Sequence, residues 1–394
     1  MRAVQTLRAA PLQRRRPAAG RGAHGEAAAE DAPREIGVQH LWHYRFDRTL
    51  QRSSNAIVSL VFSRDGLLMA SGSGSGDLKL WDAASWAELA TLRGCRREEL
   101  TALAISPSQR WLLAVQPSAL QAFRCEPPWS FEHSLPPPAE GPLQEAEEPA
   151  APHWCCAAFS PSAAREPRGP DGQDGQLAAV SGSHLCVLEL ARGWAGAPQR
   201  THSLPRLARP TCVAYSSCGR WIVCGNEEGH LQVWNAYLLS LERTLLACAG
   251  CTRCLAVSPE AAAYDSRLVS CGADRSIQVW HTSGWMLEQV VSDPTCGKGG
   301  ARSCAFSPDG LWLVSIGKRL CVWRVCLSRC GQLSLRLHQR LDGACGAKGL
   351  RAVGFCGRGG AVALGSQDGV LAVWARHPGL QAPASRGATP REAP

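Results

Sequence analysis

Phe306-Ser307-Pro308-Asp309-Gly310-Leu311-Trp312-Leu313-Val314-Ser315-Ile316-Gly317-Lys318-Arg319-Leu320-Cys321-Val322-Trp323 carries the pattern that decides the fold. An apolar residue enters a Ser-Pro-Asp-Gly turn, an apolar run follows, a short small-residue turn intervenes, and a second run ends on Trp. Runs of this length, bounded by Pro and Gly and alternating with period two, have the chemistry of β-strands.

The same phrase recurs along the chain. Phe62-Ser63-Arg64-Asp65-Gly66, Tyr215-Ser216-Ser217-Cys218-Gly219, Val257-Ser258-Pro259 and Phe355-Cys356-Gly357 lead to Trp81, Trp234, Trp280 and Trp374. Two weaker copies fit the same ruler: Ile105-Ser106-Pro107 leads to Phe123, and Phe159-Ser160-Pro161 leads to Leu188. A spacing of roughly 40–50 residues between units of short strands resembles the WD40 family and implies a β-propeller. The resemblance covers about Leu41 to Trp374 and implies an all-β fold of seven blades.

Each blade then needs a fourth, outer strand after its anchor. The candidates are Trp86–Leu92, Trp129–Leu135, Gln199–Leu204, Leu241–Leu246, Trp285–Val291 and Gln332–Leu341. The seventh blade has no such candidate, whereas Tyr44–Leu50 precedes the first unit as Ala87–Leu92 precedes the second. This N-terminal strand is expected to complete the last blade and leave no unpaired edge. The expected division is a disordered basic Ala/Arg-rich tail over 1–36, a propeller over 37–376, and a disordered Pro/Ala-rich tail over 377–394. Insertions at 136–152 and 162–176 interrupt the second and third blades and read as solvated loops.

Net charge is +9, but it is unevenly placed. Six arginines, from Arg2 to Arg21, precede the first acid at Glu26, so the rest of the chain carries only +3. That distribution argues against a broad nucleic-acid-binding surface. No apolar run reaches the roughly 18–20 residues of a membrane helix, and the N-terminus lacks the apolar core of a secretory signal. The basic tail reads as a disordered extension, with organelle targeting the alternative. The expected location is cytoplasmic or nuclear, with the nineteen cysteines reduced.

Cys248-Ala249-Gly250-Cys251-Thr252-Arg253-Cys254 has the tight spacing of metal or iron–sulfur ligands. Repeat alignment favours packing instead. Four residues before the turn serine, successive units place Ser59, Ala102, Cys156, Cys212, Cys254 and Ser303, a recurring slot for a small side chain. Cys186 and Cys321 share a second slot. No metal and no cofactor are expected. The hydrolase elbow, the phosphate-cradling glycine loop and the His-Glu-x-x-His pair are all missing, so a catalytic role is not expected either, an enzyme assembled from several blades being the third-ranked reading.

WD40 blades commonly carry an Asp in the turn between their second and third strands. That position reads Asp274 and Asp368 in the fifth and seventh units, Glu228 in the fourth and Ser75 in the first.

The sharpest functional pattern is a coincidence of register. Immediately before the small slot stand Arg253, Arg302 and Arg351 in the fifth, sixth and seventh units, against Val58, Thr101, Cys155 and Thr211 in the others. The resemblance places this position at the mouth of the central channel, where three guanidiniums suit capture of phosphate or carboxylate. Thr252-Arg253-Cys254-Leu255 resembles the arginine arrangement of propellers that read phosphorylated degrons in F-box ligase receptors, although no F-box segment is legible. A structural pairing of these arginines with nearby acids is the alternative. Trp111, Trp221 and Trp312, each five residues after the turn serine, form a second candidate partner-binding set, with packing between blades as their other reading. The resulting expectation is a non-catalytic scaffold that binds other proteins, with an acidic or phosphorylated peptide at the arginine mouth. The alternative is a constitutive subunit of a larger complex that uses its rim and tails.

Overall fold

The computed structural model describes residues 42–92, 98–138, 153–161, 175–182, 184–190, 194, 199–203, 209–259, 262, 266–292, 299–328, 330–341, 349–357 and 359–378. The expected N-terminal tail, most of both insertions and the C-terminal stretch from 379 lie outside these residues.

Within them the chain forms seven four-stranded antiparallel sheets. Each sheet is a blade, with strands a to d numbered outward from the channel. Blade 5, for example, is Thr252–Val257, Arg267–Gly272, Ser276–His281 and Met286–Ser292. The a strands of successive blades touch one another right round the ring, including blade 7 against blade 1. No helix among the described residues is long and apolar enough to cross a membrane.

The turn between strands a and b explains why the Ser phrase recurs. In six blades the serine hydroxyl accepts the N–H of the first residue of strand b: Leu68, Trp111, Gln176, Trp221, Arg267 and Trp312 bond to Ser63, Ser106, Ser160, Ser216, Ser258 and Ser307 at 2.8–3.2 Å. Asp65 and Asp309 accept the serine proton in turn, each at 2.5 Å. The side chain thus satisfies backbone groups that the tight turn would leave unpaired. Blade 7 replaces this serine with Cys356.

A second device links strand c to strand b. The indole N–H groups of Trp81, Trp280 and Trp323 donate to Ser71, Ser270 and Ser315 at 2.8–3.0 Å, all buried. Where the anchor has no N–H, as at Phe123 and Leu188, the opposing position is Ala114 or Ala179. In these five blades donor and acceptor come and go together, as the cost of an unmet buried polar group favours. In blades 4 and 7, Trp234 and Trp374 face Cys224 and Leu364 instead of serine.

Strand d begins later than the sequence suggests in blades 1, 2 and 5. Trp86, Trp129 and Trp285 lie in the preceding turn with φ of 62°, 55° and 54°, and Leu239 sits at the same point of blade 4 with φ of 53°. This left-handed backbone costs a bulky residue roughly 1–3 kcal/mol. It turns each side chain inward: Trp285 is buried against Trp221 of blade 4, with ring centroids 6.2 Å apart. Burial of so large a surface offsets the strain.

The ring closes as expected. Trp42–Arg52 forms strand d of blade 7, antiparallel to Val370–Pro378, with Phe46 opposite Trp374. Pairing of Trp42 and His43 with Pro378 and His377 carries the c strand two residues beyond the expected boundary at 376. The Tyr44 hydroxyl donates to the Gly359 carbonyl at 2.9 Å, and Phe46 meets Trp374 edge-on at 6.0 Å. At the seam with blade 1, Gly66 and Gly357 lie back to back. A Cβ on Gly66 would fall 1.9 Å from the Gly357 Cα.

Candidate functional site

Arg253, Arg302 and Arg351 occupy equivalent positions at one end of the channel, and the backbone there explains how they are aimed. In five blades the pairing of strands a and b slips by one residue at this point. The slips lie between Ile57 and Ser59, Trp154 and Cys156, Pro210 and Cys212, Thr252 and Cys254, and Leu350 and Ala352. The extra residues are Val58, Cys155, Thr211, Arg253 and Arg351. A β-bulge takes one residue out of the ladder and redirects its side chain. In blades 2 and 6 the equivalents Thr101 and Arg302 precede strand a, their N–H groups bonded to Val115 and Ile316.

Arg302 feels the charges of the other two guanidiniums. Partial burial, followed by the charges of Arg351 and Arg253, lowers the pKa of Arg302. Arg253 and Arg302 are exposed, and Arg351 is half-buried. Among the described residues neither Arg253 nor Arg302 has an ion-pair partner. Arg351 meets Glu99 at 3.9 Å, and its Nε is buried without a hydrogen bond. Such a distant, exposed carboxylate screens little of the charge. Glu227 lies in blade 4, next to the Arg253 end of the arc, where its charge adds to the burial that raises the Cys155 and Cys251 thiols. The mouth therefore carries an arginine arc over blades 5 to 7, flanked by Glu99 beside Arg351 and by Glu227 near Cys251.

The tryptophans of the second candidate set lie between blades. Trp111 meets Trp194 of blade 3 edge-on at 5.8 Å, under the Arg124 guanidinium. Trp221 packs on Trp285. Trp312 is buried, with His338 at 4.9 Å and the Arg376 guanidinium 5.9 Å from its ring centroid. These contacts use the indole surfaces within the ring.

The opposite end of the channel is different in character. A cavity of about 420 Å³ is lined by Phe62, Ile105, Phe159, Tyr215 and Val257, the last a-strand residues of blades 1 to 5, together with their turn residues. Its walls mix these apolar side chains with the turn serines and a single arginine, Arg64, in place of an arc of three.

The run Cys248–Cys254 does not gather its own sulfurs. Cys248 donates to the Gly250 carbonyl at 3.0 Å and Cys251 to the Thr252 carbonyl at 3.5 Å. Cys254 instead meets Cys271 of the same blade and Cys304 of blade 6, the three sulfurs lying within 4.8 Å of one another. Hydrogen bonds donated by Cys254 and then Cys271 pull the Cys304 thiol below its ordinary value, while Cys254 and Cys271 are themselves pushed well above theirs. Burial pushes Cys212 the other way, up to about 12. Sequence reasoning found Cys254 but missed Cys271 and Cys304, because the convergence depends on two neighbouring sheets. It also missed Glu99 and Glu227.

Two segments, residues 45–82 and 200–235, match the family model WD domain, G-beta repeat. Each runs from the d strand of one blade to the c-strand Trp of the next, so the sequence unit straddles two blades. No curated protein matches the chain. Among solved structures, the β-propeller domain of Cps50 (Swd1) from Myceliophteria thermophila superposes with a TM-score of 0.62 at 17% identity, over 84% of this chain and 99% of that one. With the repeat model matched in two segments and every blade built to one plan, the chain is a seven-bladed β-propeller that carries WD40 repeats.

Proposed function

We propose that this propeller is a non-catalytic protein-interaction scaffold that binds an acidic or phosphorylated peptide at the Arg253, Arg302 and Arg351 mouth. One observation carries the reading. Three guanidiniums from neighbouring blades are held close enough to depress Arg302, and two of them have no ion-pair partner among the described residues. Planar guanidiniums on a rigid rim offer bidentate hydrogen bonds to phosphate or carboxylate oxygens, and they remain charged at any physiological pH. Glu99, beside Arg351, and Glu227, near Cys251, would confine an acidic ligand to the arginines between them by repelling it at either end of the arc.

The test is proximity labelling in cells with wild type beside an Arg253→Glu/Arg302→Glu/Arg351→Glu variant, with phosphatase treatment of the captured partners. Loss of a defined, phosphatase-sensitive set in the variant is the expected result. An unchanged partner set overturns the reading.

A second reading, a constitutive subunit that docks through its rim, is favoured by exposed apolar side chains on blades 4 and 5. Leu238, Met286, Val290 and Leu246 are 74%, 64%, 54% and 52% exposed. Partner loss on Met286→Asp/Val290→Asp, with none on arginine reversal, would select it.

A further inference from the structure

Cys254 and Cys271 are directly opposed across strands a and b of blade 5, so both side chains lie on one face of that sheet. That face packs on the a strand of blade 6 (Ser303–Phe306), from which Cys304 points back. The Cys254 and Cys304 sulfurs are 3.4 Å apart, and all three fall within 4.8 Å of one another. No disulfide joins them. Ala256, Val269, Ala301 and Leu313 enclose the group and supply no competing donor.

We propose that Cys254, Cys271 and Cys304 form a three-coordinate site for a thiophilic monovalent ion, Cu(I), at the seam between blades 5 and 6. A single ion with metal–sulfur bonds of about 2.3 Å requires sulfurs roughly 3.8–4.0 Å apart, which lies inside the observed spread. Thiolates select Cu(I), zinc or iron–sulfur clusters. Structural zinc and iron–sulfur clusters take four ligands, and among the described residues this group offers three. Trigonal coordination by three sulfurs is a geometry that d¹⁰ Cu(I) accepts. Binding forms Cu–S bonds as S–H protons leave to solvent, with no change in oxidation state. Arg253 adjoins Cys254 and Arg302 lies two residues before Cys304, so the cationic mouth offsets part of the negative charge of the loaded site. It also marks the way in, because Cys254 is the partly exposed member of the three. The site stands independently of peptide binding at the mouth, and it departs from the expectation that the cysteines only pack.

The test is competition for Cu(I) between the reduced, purified full chain and a chromophoric Cu(I) chelator. Wild type should retain one ion per chain. Cys304→Ser and Cys271→Ser should each weaken retention by more than about 100-fold, beyond what loss of an outer-shell partner costs. Cys248→Ser/Cys251→Ser should behave as wild type. Peptide-resolved alkylation of wild type, which needs no variant to fold, should show Cys254, Cys271 and Cys304 protected by Cu(I) and Cys218 and Cys330 still reactive. Undiminished retention by Cys304→Ser, alkylation of the three cysteines at equal rates with and without Cu(I), or loss of copper from wild type to the chelator would each overturn the site.

Discussion

The side-chain amide of Gln339 grips the backbone of Tyr44, 295 residues away, from both sides: it accepts the Tyr44 N–H at 2.8 Å and donates to the Tyr44 carbonyl at 3.0 Å. Gln339 belongs to the d strand of blade 6 and Tyr44 to that of blade 7, so one amide extends the sheet hydrogen-bonding pattern across a blade boundary. Gln289 does the same one blade earlier, accepting from Leu335 N–H at 2.6 Å and donating to its carbonyl at 3.4 Å. Gln339→Ala should cost about 1–3 kcal/mol, because it removes two hydrogen bonds from a partly buried strand. Deleting residues 42–50 should cost more and leave a chain that aggregates through its open edge. Chemical denaturation and light scattering would measure the two effects.

Arg267 and Glu288 form a salt bridge of 2.7 Å with side chains 2% and 9% exposed, and Arg267 also donates to the Gly331 carbonyl of blade 6 at 2.9 Å. Glu288→Ala leaves that guanidinium buried without its counter-charge and should destabilise by about 3–5 kcal/mol. Replacing both partners with Arg267→Met and Glu288→Leu should recover much of the loss, since desolvation of the pair is then avoided. Equilibrium unfolding of the two variants separates these outcomes.

Gly357→Ala should destabilise by about 1–3 kcal/mol, because its new Cβ would lie 2.1 Å from the Gly66 Cα, in backbone that cannot swing aside. Gly360→Ala, with nothing within 4 Å and an ordinary φ, should leave the melting temperature nearly unchanged. A pair of melting curves tests whether the blade 7–blade 1 seam is as tightly packed as this contact implies.

At the arginine mouth, reversal of Arg253, Arg302 or Arg351 to Glu should weaken binding of a phosphopeptide from the captured set by about 1.5–3 kcal/mol, the range for a charge-assisted hydrogen bond. The wild-type affinity should also fall with added salt, since the rim is open to solvent. Fluorescence anisotropy would read both, and circular dichroism should show each variant folded.

Asp274 accepts N–H groups of Ala249 and Ser276, each at 2.9 Å, and the Ser276 hydroxyl at 2.5 Å. Burial alone would raise its carboxyl, but these bonds outweigh it and hold the pKa below the ordinary value of 3.8. A depressed carboxyl stabilises the fold above its ordinary pKa, and that contribution fades as pH falls through the folded value. Asp274→Asn should therefore lower the melting temperature at pH 6–7 and converge on wild type only as the pH falls from about 4 through the depressed folded value.

Much of this architecture is legible in one dimension because each blade repeats a phrase. The turn serines are spaced to cap strand b, and the placement of Tyr44–Leu50 ahead of the first unit betrays the closing strand. Even the pairing of Trp81 with Ser71, and of Phe123 with Ala114, stands in the sequence once strands b and c are in register. What is not legible arises from the backbone or from contact between sheets. A bulge at Arg253 leaves no mark in residue type. Left-handed turns at Trp86 and Trp285 contradict the usual preference for glycine, and so read as strand. Cys254 and Cys304 are separated by 50 residues and meet because adjacent blades turn facing sides toward each other.

Closure by Trp42–Arg52 also sets a clock on biogenesis. The partner strand, Val370–Pro378, leaves the ribosome about 320 residues after it. At roughly 5–20 residues per second, that interval is about 15–60 s. Until it ends, the nascent chain carries an unpaired leading strand and an unfinished ring. Whatever shields that strand during synthesis governs how much of the protein reaches its native form.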